Sequence, residues 1–116
     1  MATFTKAILS GSTSGKGIPV VAIATAGTLI HTAVAGASAI DEIWLYAVNT
    51  STSAVKLTIE YGAATAPDNN IELTVAGESG LVLVSPGLIL NGGLTVKAFA
   101  ATASVIVLYG YVNKIA

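Results

Sequence analysis

The segment Val55-Lys56-Leu57-Thr58-Ile59-Glu60-Tyr61 alternates strictly between apolar and polar side chains. Because successive side chains of a β-strand point to opposite faces, Val55, Leu57, Ile59 and Tyr61 share one face. The polar residues between them are expected on a wet face. This segment therefore predicts a half-buried strand.

Similar runs recur along the whole sequence, separated by Asn-Gly, Pro-Gly and Asp-Asn pairs that favour chain reversal. Strands are predicted at residues 4–9, 18–24, 28–34, 43–48, 71–75, 81–84, 94–98 and 105–109, and a turn is predicted at Ser85-Pro86-Gly87. Residues 43–48 and 105–109 are apolar on both faces, so something besides their own core is expected to cover them. We predict one all-β domain over residues 1–116, an antiparallel two-sheet β-sandwich, jelly-roll-like, with about eight or nine strands. Residues 1–17 are expected to be an N-terminal arm and flexible loop.

Charge is scarce: charged residues make up 9% of the 116, and the net charge is −1. An ordinary domain carries about 25% charged residues. This composition excludes intrinsic disorder, and five scattered basic residues do not form a nucleic-acid-binding face. The absence of cysteine excludes a disulfide framework and a cysteine-based zinc site.

Residues 17–40 contain no Asp, Glu, Lys or Arg, which raises a membrane span as an alternative. The segment is rich in Ala, Thr and Gly and is interrupted by Pro19, so no span is expected. The role of this segment stays open. The start of the chain lacks the apolar core of a signal peptide, and none is predicted.

Two segments resemble catalytic or phosphate-binding motifs without satisfying them. Residues 10–17 are similar to a phosphate-binding loop, but Ser10 and Gly17 stand where the motif needs glycine and a metal-binding hydroxyl. Residues 77–81 are similar to a nucleophile elbow, but Leu81 replaces the last glycine. We predict no catalytic residue and no cofactor-binding residue.

Residues 68–72 place oxygen ligands at alternate positions, but Leu73 replaces the glycine of a calcium loop, so a surface turn and no metal site are predicted. The single histidine, His31, is expected to be a strand residue and not a catalyst. Asp41 and Glu42 are neighbours, so their side chains point to opposite faces and cannot share a substrate. They are expected to mark the exposed start of the strand that carries the tryptophan.

Four aromatic residues, Trp44, Tyr46, Tyr109 and Tyr111, lie on the two strands that are apolar on both faces. Aromatic side chains stack on sugars and bases and also anchor protein interfaces. Because only Lys114 among basic residues flanks them, core packing and a subunit interface are favoured over ligand stacking. These four residues are the predicted interface with other copies of the chain or with a partner protein. The scarcity of charge independently favours a homo-oligomer in which copies cover each other.

Residues 40–50, 81–88 and 109–113 resemble segments of small virion proteins of tailed bacteriophages. The resemblance implies a non-enzymatic, jelly-roll-like capsid decoration (cement) protein, made in the host cytoplasm. Such a protein is a homo-oligomer, with a trimer favoured, and binds the major capsid protein on the outside of the head. The resemblance carries no catalytic residues, cofactor, nucleic acid or membrane partner.

Two alternatives stay open from the sequence. A tail, fibre or neck component of the virion would have the same composition. A carbohydrate- or receptor-binding jelly-roll module would instead display its aromatic residues on an open face.

Overall fold

A computed structural model describes residues 3–116, which form nine β-strands and no α-helix. The strands are β1 (Phe4–Ile8), β2 (Ile18–Pro19), β3 (Thr28–Thr32), β4 (Ile40–Asn49), β5 (Val55–Tyr61), β6 (Asn70–Val75), β7 (Val82–Leu90), β8 (Thr95–Ala100) and β9 (Ile106–Ile115). One sheet has five strands in the order β1-β9-β4-β7, with β2 also paired to β9. The other has four, in the order β3-β8-β5-β6. Every pairing is antiparallel.

The strand order is that of a jelly roll. β1 pairs with the last five residues of β9, and β2 pairs with Leu108 and Val107, so the two short strands form one interrupted edge strand. Counting them as the first of eight strands, the two sheets have the orders 1-8-3-6 and 2-7-4-5. Two Greek keys joined in this way define the jelly roll. The predicted two-sheet, jelly-roll-like sandwich is confirmed.

The hydrophobic core lies between the sheets and is built by alternation along the strands. In β4 every second residue is buried, from Asp41 through Asn49, whereas the residues between are half-exposed. The largest fully buried apolar side chains are Leu9, Ile30, Ile43, Leu45, Leu57, Ile59, Ile106 and Leu108. These residues come from both sheets, so each sheet buries its apolar face against the other.

The loop between β1 and β2 closes one side of the sandwich. The amide of Gly11 donates to the carbonyl of Ile30 over 2.9 Å, and the amide of Thr32 donates to Ser10 Oγ over 2.6 Å. Leu9, which precedes these bonds, is 1% exposed and belongs to the core. The loop therefore joins the edge of the five-stranded sheet to β3 at the edge of the four-stranded sheet.

The predicted turn at Ser85-Pro86-Gly87 is wrong, because these residues lie inside β7. The pairing of β4 with β7 shifts register between Ile43 and Trp44 and again between Leu45 and Tyr46. A glycine with positive φ, such as Gly87 at 82°, is typical of a β-bulge. Since β7 is an edge strand, the missing N–H of Pro86 is tolerated. The turn residues therefore kink the strand without reversing it.

The polar face predicted for β5 is only partly wet. Thr58 and Glu60 are 3% and 2% exposed. The segment after β2 crosses this side of the four-stranded sheet, where the amide of Gly27 and the hydroxyl of Thr25 both donate to the Glu60 carboxylate. Most of the strand predicted at residues 18–24 is this irregular crossing, and only Ile18–Pro19 pair as a strand.

Candidate functional site

The four aromatic residues singled out by the sequence meet on one surface. The register of β4 and β9 places Trp44 opposite Tyr111 and Tyr46 opposite Tyr109. Residues directly opposite each other in an antiparallel pair share a face of the sheet. Their neighbours in the same strands, such as Leu45 and Leu108, are fully buried, so the aromatic side chains point away from the core. We call these four residues the aromatic face.

The aromatic residues interact with one another and with a lysine from β1. The rings of Trp44 and Tyr111 stack with centroids 6.2 Å apart and planes 12° from parallel. The ammonium group of Lys6 lies 4.7 Å from the centroid of the Tyr111 ring, within the range of a cation–π contact. Tyr109 remains 41% exposed, and the other three aromatic residues are half-buried. The prediction that these four residues pack in the core is therefore wrong, and the predicted role in a surface contact remains.

Exposed aliphatic and aromatic side chains extend the aromatic face on both sides. On β1, Phe4 is 69% exposed and Ile8 is 50% exposed, and both pair with outward-facing positions of β9. On β7, Leu83 is 48% exposed and pairs with Tyr46, and Ile89 is 57% exposed and pairs with Glu42. We call this surface the outer face: Phe4, Lys6, Ile8, Glu42, Trp44, Tyr46, Leu83, Ile89, Tyr109, Tyr111 and Asn113.

The accessible surface of the chain has an ordinary area, but the outer face has an unusually small number of charged side chains. Its 5868 Å² matches the roughly 5,800 Å² expected for a folded monomer of this mass. The outer face nevertheless contains only two charged side chains, Lys6 and Glu42, which are of opposite sign, among mostly apolar and aromatic neighbours. An exposed patch of this kind marks an interaction surface in soluble proteins.

Glu42 is held in a fixed position on this face. Its Oε1 accepts hydrogen bonds from Trp44 Nε1 over 2.8 Å and from Asn113 Nδ2 over 3.0 Å. The bond from Asn113, followed by the bond from Trp44, lowers the pKa of Glu42 below its ordinary value of 4.5. Glu42 therefore carries its negative charge at neutral pH and orients the indole ring.

Two glycines allow the backbone to approach Trp44. A Cβ atom at Gly110 would lie 2.0 Å from the Trp44 carbonyl oxygen, and one at Gly87 would lie 3.0 Å from the indole ring. Glycine within a strand often marks such a close approach. Gly110 interrupts an apolar run in the sequence, and that interruption is the signal that could have identified it.

A buried polar cluster lies between the sheets, and the sequence analysis missed it. His31 and Asp41 are 1% and 0% exposed, so the expectation of an exposed Asp41 is wrong. The ring nitrogen Nε2 of His31 lies 2.7 Å from Asp41 Oδ2, and Lys114 Nζ lies 3.2 Å from both carboxylate oxygens. Burial by itself would raise the pKa of Asp41, but the bonds with His31 and Lys114 outweigh it and hold the pKa below 3.8.

This cluster contains a serine, a histidine and an aspartate without the geometry of a nucleophilic triad. The Nδ1 of His31 accepts a hydrogen bond from the backbone amide of Ser10 over 3.0 Å, not from its hydroxyl. The Ser10 hydroxyl accepts instead from the amide of Thr32. Because a triad needs the base bonded to the nucleophile oxygen, the cluster is arranged for inter-sheet linkage. His31 lies on β3, as expected of a strand residue.

The remaining motifs of the sequence occupy loops and turns. Residues 10–17 form the loop between β1 and β2, and no helix follows it. Residues 77–81 connect β6 to β7 with a positive φ of 52° at Glu78. Across residues 3–116, no three His, Cys, Asp or Glu side chains are grouped so as to hold a metal ion. The same residues include no helix both long and apolar enough to cross a membrane.

A shallow cavity of about 320 Å³ lies on the opposite side of the molecule, on the outward surface of the four-stranded sheet. The exposed ion pair between Lys56 Nζ and Glu72 Oε1, 3.1 Å apart, forms part of its wall. The other lining residues are Ile23, Thr58, Phe99 and Ala101. The four predicted interface residues have no part in this cavity.

Comparison of the chain with protein-family models, with curated proteins and with solved structures found no match.

Proposed function

We propose that this chain is a non-enzymatic structural protein of a bacteriophage virion, a capsid decoration (cement) protein that binds the outside of the head as a homo-oligomer. The observation that carries the proposal is the outer face. It is an apolar surface of ordered strands that has five aromatic side chains and two charged residues. A protein with 9% charged residues gains solubility when such a surface is covered.

The fold supports a virion role at the level of architecture. Jelly rolls are found in viral capsid domains, and they are also found in lectin domains. Since one fold hosts many functions, the proposal depends on the surface and not on the topology. A rigid β-sandwich can associate with its own copies and bind a shell without reordering its own chain, which limits the entropic cost of binding.

The test combines capsid binding with a matched pair of variants. Purified protein is mixed with phage capsids that lack decoration protein, and the bound fraction and the temperature of capsid disruption are measured. The wild-type chain is expected to bind and to raise that temperature. The double variant Trp44→Ala/Tyr109→Ala is expected to bind at least about tenfold more weakly, because aromatic anchors dominate interface energies.

Thr74→Ala is the control, because Thr74 is exposed on the opposite sheet. Equal binding by the aromatic double variant and the control would show that capsid binding does not depend on the outer face. Failure of the wild-type chain to bind any capsid preparation would argue against the decoration role and leave a tail, fibre or neck position to be tested with the corresponding virion parts.

A second candidate function is a carbohydrate- or receptor-binding module, favoured by the 41% exposure of Tyr109 beside the stacked pair of Trp44 and Tyr111. Exposed aromatic rings on a rigid sheet can stack on sugar rings. Binding to a glycan array that is lost in Tyr109→Ala, together with a monomeric mass in solution, would support this function over the decoration role.

A further inference from the structure

We propose that the outer face binds the outer face of a second copy of this chain, about a two-fold axis that runs along β9. In this contact Lys6 of each copy pairs with Glu42 of the partner subunit. The inference specifies the self-association contained in the proposed function and rests on it. A two-fold contact makes a dimer the basic unit, in place of the trimer expected from the sequence.

The two charges of the outer face have no ionic partner within the part of the chain that the structure describes. The Lys6 ammonium group contacts the Tyr111 ring and forms no ion pair there. Glu42 accepts both of its hydrogen bonds on Oε1, which leaves Oε2 free to accept. An apolar surface that carries one unpaired cation and one unpaired anion is complementary to a surface of the same composition.

The register places these charges where a two-fold axis can match them. Lys6 lies opposite Asn113, and Asn113 lies opposite Glu42, so the three residues form one row across β1, β9 and β4. Neighbouring strands are about 4.8 Å apart, which puts β1 and β4 at equal distances on either side of β9. A two-fold axis that runs parallel to β9, midway between two facing sheets, places Lys6 of one copy directly opposite Glu42 of the partner subunit.

The same axis matches the rows on either side. Ile8 and Trp44 lie in one row with Tyr111 between them, so the axis places Ile8 against the partner's Trp44. Tyr109 lies on β9 itself and faces the partner's Tyr109. In an isologous interface each contact between two different residues occurs twice, and the contacts of Lys6 with Glu42 and of Ile8 with Trp44 meet that condition. The strands of the two copies then run in the same direction, as in aligned sheet packing.

The size of the contact fits a reversible dimer. Three facing strands about 4.8 Å apart, with about eight residues per strand on average at about 3.4 Å per residue, cover about 400 Å² on each copy. Exposed Leu83 and Ile89 of β7 extend over the partner's edge and bring the total for both copies to about 1,000 Å². This is the range of weak complexes, so the dimer is expected to form in the micromolar range of concentration.

A charge-swap experiment tests the ion pair. Sedimentation equilibrium is measured for wild type, Lys6→Glu, Glu42→Lys and the double variant Lys6→Glu/Glu42→Lys. Each single variant places like charges opposite each other twice, so its dimer dissociation constant is expected to rise at least about tenfold. The double variant restores opposite charges and is expected to return to within about threefold of wild type.

Lys56→Glu is the control for net charge, because Lys56 is exposed on the opposite sheet. It is expected to dimerise like wild type. Dimerisation of Lys6→Glu that is as strong as that of this control would overturn the proposal. Since Glu42→Lys also removes the bonds to Trp44 and Asn113, the outcome for Lys6→Glu decides the test if the Glu42 variants do not fold.

Cross-linking tests the axis independently, and the absence of cysteine from the chain makes the test selective. Facing sheets lie about 10 Å apart, which is too far for a disulfide, so a bis-maleimide of about that length is used. Tyr109→Cys is expected to cross-link to a covalent dimer at least about tenfold faster than Thr74→Cys on the opposite sheet. Equal rates would exclude a two-fold axis along β9.

The proposed dimer and the proposed decoration role can be refuted separately. A dimer that passes both tests but binds no capsid would retain this inference and remove the decoration role. A chain that binds capsids but remains a monomer, or forms only a trimer insensitive to Lys6→Glu, would remove this inference and retain the decoration role.

Discussion

His31 on β3 and Asp41 on β4 join the two sheets of the sandwich through a buried contact of 2.7 Å between Nε2 and Oδ2. The histidine ring is satisfied at both nitrogens, since Nδ1 accepts from the amide of Ser10. The carboxylate also accepts from the amide of Val34 and from Lys114. A cluster with this many bonds fixes the alignment of the sheets at one end of the molecule.

Replacing Asp41 should strongly destabilise the fold. Asp41→Ala leaves the donors on His31, Val34 and Lys114 without their acceptor, and loss of one partner of a buried pair costs about 3 to 5 kcal/mol. Lys56→Ala, which removes the exposed Lys56–Glu72 pair, should cost less than about 1 kcal/mol. Urea unfolding followed by circular dichroism measures both changes. Similar losses in the two variants would contradict the structural role of the buried cluster.

Stability should decline in acid because of the same carboxylate. The pKa of Asp41 in the folded chain lies below 3.8, its ordinary value and the value expected after unfolding. The unfolded state therefore binds a proton more readily, so the contribution of Asp41 is complete above the ordinary pKa and is lost as the pH falls through the folded pKa. The free energy of unfolding of wild type is expected to fall from about pH 5 downward. In Asp41→Asn this decline should be shallower, and an equal slope would count against Asp41.

Gly110→Ala should disrupt the contact between β9 and β4. The added Cβ would lie 2.0 Å from the Trp44 carbonyl oxygen, and because that oxygen belongs to the backbone, a strand must move. We expect a loss of about 3 kcal/mol or more, at the upper end of overpacking changes. Gly15→Ala, where open space surrounds a positive φ of 84°, should cost only about 1 kcal/mol. Thermal unfolding compares the two, and a smaller loss for Gly110→Ala would be inconsistent with this packing.

Glu60→Ala should release the segment that crosses the four-stranded sheet. The Glu60 carboxylate accepts from the Gly27 amide over 2.6 Å and from the Thr25 hydroxyl. Loss of a charged acceptor should cost about 2 kcal/mol. Hydrogen exchange at the Gly27 amide is expected to accelerate at least about tenfold, while the buried amides of β4 change little. Unchanged protection at Gly27 would show that other contacts hold the segment.

The emission of the single tryptophan should report coverage of the outer face. Trp44 is half-buried in the isolated chain and lies against Ile8 of the partner subunit in the proposed contact between copies. Dilution through the dissociation range should shift its emission maximum to longer wavelength as water reaches the indole ring. Lys6→Glu should show the dissociated spectrum at concentrations where wild type is still associated. A spectrum independent of concentration in both proteins would argue against burial of Trp44 by a second copy.

Several features were predictable because they depend on local periodicity. Alternation located β5 with the bounds that the structure has, and the number of runs predicted a two-sheet sandwich of about eight or nine strands, of which the structure has nine. The two strands predicted to be apolar on both faces, β4 and β9, are neighbours in the five-stranded sheet. Pairing by Trp44 with Tyr111 and by Tyr46 with Tyr109 then brought all four predicted aromatic residues together.

Other features depend on contacts between residues distant in sequence. The sequence pattern predicts that Asp41 is exposed at the start of a strand. Lys114, 73 positions away, pairs with Asp41 and allows its burial. The sequence pattern predicts that Glu60 lies on a solvent-exposed face. The segment around Gly27, 33 positions earlier, covers Glu60 instead. Alternation predicts only that the two faces of a strand differ in polarity. It does not predict which part of the chain covers each face.

By itself, the sequence determined the class of fold and the identity of the aromatic surface, because the period of two in its side chains is a property of neighbouring residues. Only the tertiary structure decided that Ser85-Pro86-Gly87 bends β7 without reversing it, that His31, Asp41 and Lys114 form one buried cluster, and that the aromatic residues point outward. Each of these outcomes depends on which strands become neighbours. Strand pairing is settled by the packing of the whole chain, in which burying the aliphatic side chains between the sheets leaves the aromatic side chains on the outside.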